Sequence, residues 1–206
     1  MQLLRKKTDQ AKLPDAAGML ERVRAEAGEL RNFTLTFLSL LLYVGIIIAS
    51  TTHEQLLRDD PVILPLLNVN IPITGFYRFM PVLLFFVHLY ILVQHYLFSQ
   101  LVFRFRAALM KESPAVRSQL RRSLGNLPFV HWLAGLHKGF MQWLMAGFTV
   151  VSLIIWPVWT FWWLQAAFLP YHDDIAVLVQ QIALIFDTSM LAYIWGKTLN
   201  EHDNAG

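Results

Sequence analysis

Ionisable and amide side chains inside long apolar runs are the residues of this sequence that could do chemistry. Asp187 is the single acid within such a run. His88 and His95 lie seven residues apart in another run, and therefore on nearly one face of a helix. Each such group is costly in hydrocarbon, so it marks either a site or an interhelical contact. The candidate amides inside the runs are Gln94, Gln142, Gln165, Gln180 and Gln181.

The depths of these groups predict a contact in the middle of a bundle. If the second and fourth runs enter a membrane from the same side, a rise of about 1.5 Å per residue brings His95 level with Asp187. We therefore predict an Asp187–His95 pair, or a contact between Asp187 and Gln94. Polar contacts that fix the register of the helices are the favoured interpretation. A proton or ion pathway is the alternative, and it requires several such groups to line one cavity.

Other chemistries find less support in the residue types and spacings. Haem needs two histidines that face each other across a cavity, whereas His88 and His95 share one run. Three adjacent residues on a short loop, His172 to Asp174, rarely complete a metal shell. The sequence has no cysteine, which excludes disulfides, cysteine-ligated zinc and a thiol nucleophile. No nucleophile with its base and no phosphate-binding glycine loop is recognisable. We expect no enzyme activity, no cofactor and no metal.

The composition indicates that these groups sit on membrane-spanning helices. Of 206 residues, 56% are hydrophobic and 15% charged, and the mean hydropathy is +0.46. Soluble domains carry about a quarter charged residues. A helix needs about 20 apolar residues to cross a bilayer. The sequence predicts an all-α, integral membrane four-helix bundle with spans at about 33–50, 81–103, 140–169 and 175–195. The third run is long, and Pro157 predicts a kink in it.

Basic residues predict the orientation of the spans. Seven Lys and Arg precede the first run and seven lie between the second and third, but only Arg58 and Arg78 lie between the first and second. Since basic loops stay in the cytoplasm, both termini and the loop 104–139 are predicted to be cytoplasmic. Residues 51–80 and 170–174 then face outward. We expect a multi-pass protein of the bacterial inner membrane, with a short cytoplasmic tail at 197–206.

Two cytoplasmic segments carry the remaining charge. Residues 1–32 have the spacing of an amphipathic helix, which lies against the membrane, continues into the first span or binds a partner. The loop 104–139 is basic, and basic residues near a membrane attract anionic headgroups. Nucleic acid is not expected, because no base-reading motif accompanies these charges. The candidates for contact with lipid headgroups or a partner are Arg104, Arg106, Arg117, Arg121 and Arg122.

The interruption between the first two runs, residues 51–80, is unusually rich in proline and apolar residues. Prolines remove backbone donors and disfavour a helix at Pro61, Pro65 and Pro72, and at Pro81 directly after the segment. Its ILPLLNVNIPI core is too apolar for a solvated loop. We predict that it folds back as an ordered, non-helical outer cap beside the PYHDD loop that precedes the last span.

Three stretches together resemble a known family. STTHEQLLRDDPVILPLLNVNIPITGFY, MPVLLFFVHLYILVQHYLF and FLPYHDD are similar to the N-terminal multi-span module of bacterial pentapeptide-repeat membrane proteins. The similarity covers roughly Thr34 to Trp195. In that family a cytoplasmic β-helix of five-residue repeats follows the module, and this sequence has no such repeats. The resemblance implies architecture and no catalytic residues. It leaves two arrangements open: a module that acts alone, or one whose repeat partner is a separate chain.

These observations predict a non-enzymatic role. We expect an inner-membrane anchor or sensor that acts through a partner protein, in a setting such as stress or phage defence. The alternative is a homo-oligomeric ion channel or membrane-permeabilising effector, with Asp187 and His95 near the pore. The expected partners are the lipid bilayer and either a protein or further copies of the chain.

Overall fold

A computed structural model of the chain describes residues 16–58, 60–64, 69–115, 118, 140–171 and 173–204. The first part comprises α1 (Ala16–Ser50), α2 (His53–Arg58), β1 (Val62–Leu64), β2 (Val69–Ile71) and α3 (Ile73–Leu109). The second part comprises α4 (Phe140–Val150), a π-helix (Val151–Ile155), α5 (Trp156–Phe168), a 3-10 turn (Leu169–Tyr171) and α6 (Asp174–Asn204).

Four helical segments are long and apolar enough to cross a membrane, namely α1, α3, the α4–π–α5 segment and α6. Around the bundle, α3 packs against α1 and α6, and α5 packs against the same two helices and also touches α3. The protein is an integral membrane four-helix bundle, as predicted. The end of the bundle that holds α2 and the two strands is the hairpin end. The opposite end, where α1 begins and α3 ends, is the stalk end.

The bundle core is made of aliphatic and aromatic side chains that point inward from all four spans. Phe37, Leu84, Ile91 and Leu164 are among its fully or almost fully buried members. The outward faces are also apolar, which suits helices surrounded by lipid rather than water. α1 and α5 meet at Gly45, where a Cβ would lie 3.4 Å from the Trp163 ring, an ordinary van der Waals distance.

Two helices differ in extent from the expected spans. α3 begins at Ile73 rather than Pro81 and continues to Leu109, so Pro81 lies inside a helix instead of starting one. α1 continues without a break from Ala16 to Ser50, so residues 16–32 extend the first span. Proline is tolerated within membrane helices where neighbouring groups satisfy the freed backbone carbonyl.

The interruption contains more regular structure than predicted. His53–Arg58 is helical, as are the residues from Ile73 onward, so the expectation of a non-helical segment is wrong for these parts. The two strands pair antiparallel, with Val62 opposite Ile71. Leu56 and Val62 are buried in the bundle core, and α2 lies beside the 3-10 turn. Residues 65–68 of the predicted cap lie outside the described residues.

Beyond the stalk end of the core, α1 and α3 form a separate packed structure. This stalk consists of the nine buried residues Met19, Leu20, Val23, Ala27, Leu30, Phe98, Val102, Phe105 and Leu109. Arg104 and Arg106 lie on the α3 side of it. Arg117, Arg121 and Arg122, which were predicted to contact headgroups or a partner, lie outside the described residues.

Candidate functional site: a buried histidine–aspartate pair

The centre of the bundle holds a histidine and an aspartate in direct contact. His88 Nδ1 on α3 lies 2.7 Å from Asp187 Oδ1 on α6, and both side chains are fully buried. The Phe37 ring of α1 stacks on the imidazole at 5.3 Å between centroids, with an interplanar angle of 7°. Three helices therefore fix the position of the His88 ring.

The predicted type of contact is present, but the predicted histidine is wrong. Asp187 pairs with His88, whereas His95 bonds through Nδ1 to the Ile91 carbonyl of its own helix at 2.9 Å. The reason is the early start of α3. Counted from Ile73, His88 lies at about the same depth as Asp187 counted from Asp174, at a rise of about 1.5 Å per residue.

The other imidazole nitrogen is satisfied by an unusual backbone acceptor. His88 Nε2 lies 3.1 Å from the carbonyl oxygen of Leu153, inside the π-helix. In an α-helix this carbonyl would accept from the N–H of the residue four positions later, which is Pro157 and has none. Pro157 thus withholds the α-helical donor of this carbonyl, and His88 bonds to it from another helix.

These two contacts fix the number of protons in the pair. A carbonyl oxygen only accepts, so Nε2 must carry a hydrogen. The short Nδ1–Oδ1 contact then needs one further proton between the two atoms, since two lone pairs or two hydrogens would repel each other there. Whichever atom holds that proton, histidine and aspartate together carry no net charge. A neutral pair suits the interior of a membrane, where a lone charge is costly.

A second internal proline repeats the arrangement nearer the hairpin end. Pro81 deprives the Tyr77 carbonyl of its helical donor, and Gln180 Nε2 of α6 donates to that oxygen at 3.1 Å. Gln180 is 2% exposed. In both cases a buried polar side chain from a neighbouring helix satisfies a carbonyl that a proline has freed.

The remaining predicted polar residues are not drawn into this site. Gln181 is exposed on the outer face of α6, and Gln165 is half-buried on α5. Gln94 lines a different cavity, at the base of the stalk. The side chain of Gln142 lies outside the described residues.

An ion pair at the hairpin end ties the start of α6 to α3. Arg78 Nη2 and Nε donate to Asp173 Oδ2 at 2.7 and 3.0 Å. Asp173 Oδ1 accepts from the backbone N–H groups of Ile175 and Ala176, which makes it the N-cap of α6. Burial raises the pKa of Asp173, but the hydrogen bonds from Arg78 and these amides outweigh it and hold the pKa below 3.8.

Sequence reasoning missed the two proline–carbonyl contacts and the Arg78–Asp173 pair. The first had a readable signal, since Pro81 and Pro157 each leave one carbonyl four residues earlier in need of a donor. The second had none, because 95 residues separate its partners. Among the described residues, no group of three His, Cys, Asp or Glu could hold a metal ion.

Comparisons with protein-family models, with curated proteins and with solved structures find no match to this chain.

Proposed function

We propose that this chain is a non-enzymatic anchor or sensor of the bacterial inner membrane, and that it acts through a partner protein that binds the stalk. In the orientation that the basic residues predict, the stalk end is cytoplasmic and the hairpin end faces outward. The stalk is the observation that carries the proposal.

The helices that form the stalk are longer than a bilayer crossing requires. α1 and α3 have 35 and 37 residues, so each is about 50 Å long, against about 30 Å of hydrocarbon. The two helices bury apolar residues against each other along this extension. Its other faces carry charges of both signs on α1, including Glu21, Arg22, Glu26 and Glu29. A packed helix pair with a charged surface suits contact with a soluble protein.

The base of the stalk offers a defined feature for recognition. A cavity of about 330 Å³ lies between α1 and α3, lined by Glu26, Glu29, Phe33, Gln94 and Leu97 among others. Because two carboxylates and several apolar side chains line this cavity, it favours a partner segment that carries a basic and an apolar residue side by side.

Membrane capture tests this proposal. The tagged chain is purified from native membranes in mild detergent, alone and as the double variant Glu26→Lys, Glu29→Lys. Glu54→Lys, an exposed charge reversal at the hairpin end, is the matched control. We expect a soluble protein to co-purify in fixed proportion with the unmodified chain and the control but not with the stalk variant. Capture that ignores the stalk charges would contradict the proposal.

A homo-oligomeric channel is the second candidate, and one observation favours it. Asp187 Oδ2 is buried and has no hydrogen-bond partner among the described residues, as expected of a group in a permeation path. Against it, the pair is closed in by the core of a single chain. Ion flux in liposomes that disappears in Asp187→Asn would favour the channel over the anchor.

A further inference from the structure

Buried polar atoms without a partner are unevenly distributed in this bundle. The described residues contain five such side-chain atoms, of which four are Tyr43 Oη, Tyr77 Oη, Gln180 Oε1 and Asp187 Oδ2. The fifth, Arg106 Nε, lies at the stalk end. A buried polar group left without a partner destabilises the folded state, so four of them in one region require a common explanation.

All four atoms belong to residues that lie at the level of the pair or between it and the hairpin end. Tyr77 is about 6 Å and Gln180 about 9 Å from the start of its helix, and Tyr43 is about 10 Å from the end of α1. Asp187 lies deepest, at about 20 Å. The Tyr77 hydroxyl lies near that of Thr51, just beyond the end of α1, but not within hydrogen-bond geometry.

The other side of the pair is different. Ser99 donates to the Tyr96 carbonyl, and His95 bonds through Nδ1 to the Ile91 carbonyl, so both of these buried side chains have an acceptor within α3. The inner face of α6 has the small residue Ala183 between Gln180 and Asp187. Among the described residues, the buried oxygens without a hydrogen-bond partner thus belong to residues at the level of the pair or on its hairpin side.

We propose that internal water molecules bond to these four oxygens and make the His88–Asp187 pair a proton-binding site open to the hairpin end. Buried waters make about three hydrogen bonds each to otherwise unpartnered groups. When a proton exchanges, one from these water molecules replaces the proton shared by His88 and Asp187, and the pair stays neutral. The site adds to the proposed function without depending on it, because the pair exchanges its proton whether or not a partner binds.

Few other groups near the pair can hold or release a proton. On α3 they are Tyr77 on the hairpin side and His95 on the stalk side. α1 contributes the Tyr43 hydroxyl and the Phe37 ring, the π-helix contributes the Leu153 carbonyl, and α6 contributes no further acid or base within the bundle core. A signal from the pair can therefore be assigned by substitution.

Infrared spectroscopy of the full chain in liposomes tests the proposal. The carboxyl or carboxylate band that Asp187→Asn removes is followed after a rapid change from H₂O to D₂O. We expect fast exchange in the unmodified chain. Exchange should be slower by about tenfold or more in Tyr77→Phe and in Ala183→Leu, which corresponds to about 1.4 kcal/mol on the barrier. Ser99→Ala, which removes a hydroxyl on the stalk side, is the matched control and should exchange at the original rate.

Thermal stability gives a second readout, which needs no band assignment. If the Tyr77 hydroxyl bonds to water, Tyr77→Phe loses that bond and destabilises the bundle. If the hydroxyl is dry, removing it stabilises the bundle, because a buried unpartnered group disappears. Stabilisation by Tyr77→Phe, or equal exchange rates in all four proteins, would overturn the proposal.

Discussion

His88 Nε2 lies 3.1 Å from the carbonyl oxygen of Leu153, the carbonyl that Pro157 deprives of its helical donor. This contact requires a hydrogen on Nε2 and so leaves one proton for the short contact with Asp187. The proline thereby determines, through a backbone carbonyl, the protonation of a side chain on another helix.

The pair should tolerate an amide but not truncation. Asp187→Ala leaves His88 Nδ1 buried without a partner and should cost about 1–3 kcal/mol of unfolding free energy. Asp187→Asn should cost less than about 1 kcal/mol, because its amide donates to Nδ1. Equilibrium unfolding in mixed micelles measures both. An asparagine variant as unstable as the alanine variant would argue that the pair needs a charge, contrary to the neutral pair inferred here.

Restoring the backbone donor should compensate for loss of the glutamine. Gln180→Leu leaves the Tyr77 carbonyl without a donor and should cost about 1–2 kcal/mol. Pro81→Ala supplies an N–H to that carbonyl, so the same glutamine substitution should cost much less in the double variant. Unfolding free energies of the four proteins form a double-mutant cycle. Gln181→Leu, on the exposed face, is the control, and strict additivity in the cycle would show that the two groups do not share this carbonyl.

Acid should weaken the hairpin end through Asp173. A carboxyl whose pKa is lower in the folded state stabilises the fold above its ordinary value, here 3.8, and that contribution is lost as the pH falls below it. Asp173→Asn keeps an N-cap acceptor and should remove this part of the acid dependence. Asp173→Ala should also lose the cap, at a cost of about 0.5–2 kcal/mol. The unfolding free energy measured across acid pH distinguishes the unmodified chain from the two variants. If Asp173→Asn left the acid dependence unchanged, that dependence would belong to other groups.

The stalk should unfold without the bundle. Val23 is fully buried in the stalk, and Val23→Asp places an unpaired carboxylate there. Amide hydrogen exchange should rise across 19–30 and 98–109 and stay unchanged around Leu84 and Leu164 in the core. Arg22→Asp, on the exposed face beside it, is the control. Exchange that rises throughout the bundle would mean that the stalk and the core form one cooperative unit.

Much of the architecture was predictable, because the hydropathy of four runs reports burial in lipid directly. The bounds of α3 were not, since Pro81 was interpreted as a helix start. Proline indeed disfavours a helix interior, but Gln180 compensates for it here, and this compensation depends on the packing of two helices distant in sequence.

The same misplaced boundary explains the error at the site. An eight-residue shift in the start of α3 moves the level of Asp187 from His95 to His88, about two helical turns away. The chemistry of the site, a histidine with the single intramembrane acid, was predictable from residue types. Which histidine contacts Asp187, and that the Leu153 carbonyl accepts from it, depend on the three-dimensional packing and could not be predicted from residue types.

Nitrogen NMR of the His88 side chain in lipid bilayers reports directly which ring nitrogen carries a hydrogen. We expect that Nε2 carries one, that this hydrogen correlates with the Leu153 carbonyl carbon, and that the correlation weakens in Pro157→Ala, where a backbone N–H competes for the same oxygen. A His88 ring whose Nε2 carries no hydrogen would contradict the shared proton, the neutral pair and the role of the proline together.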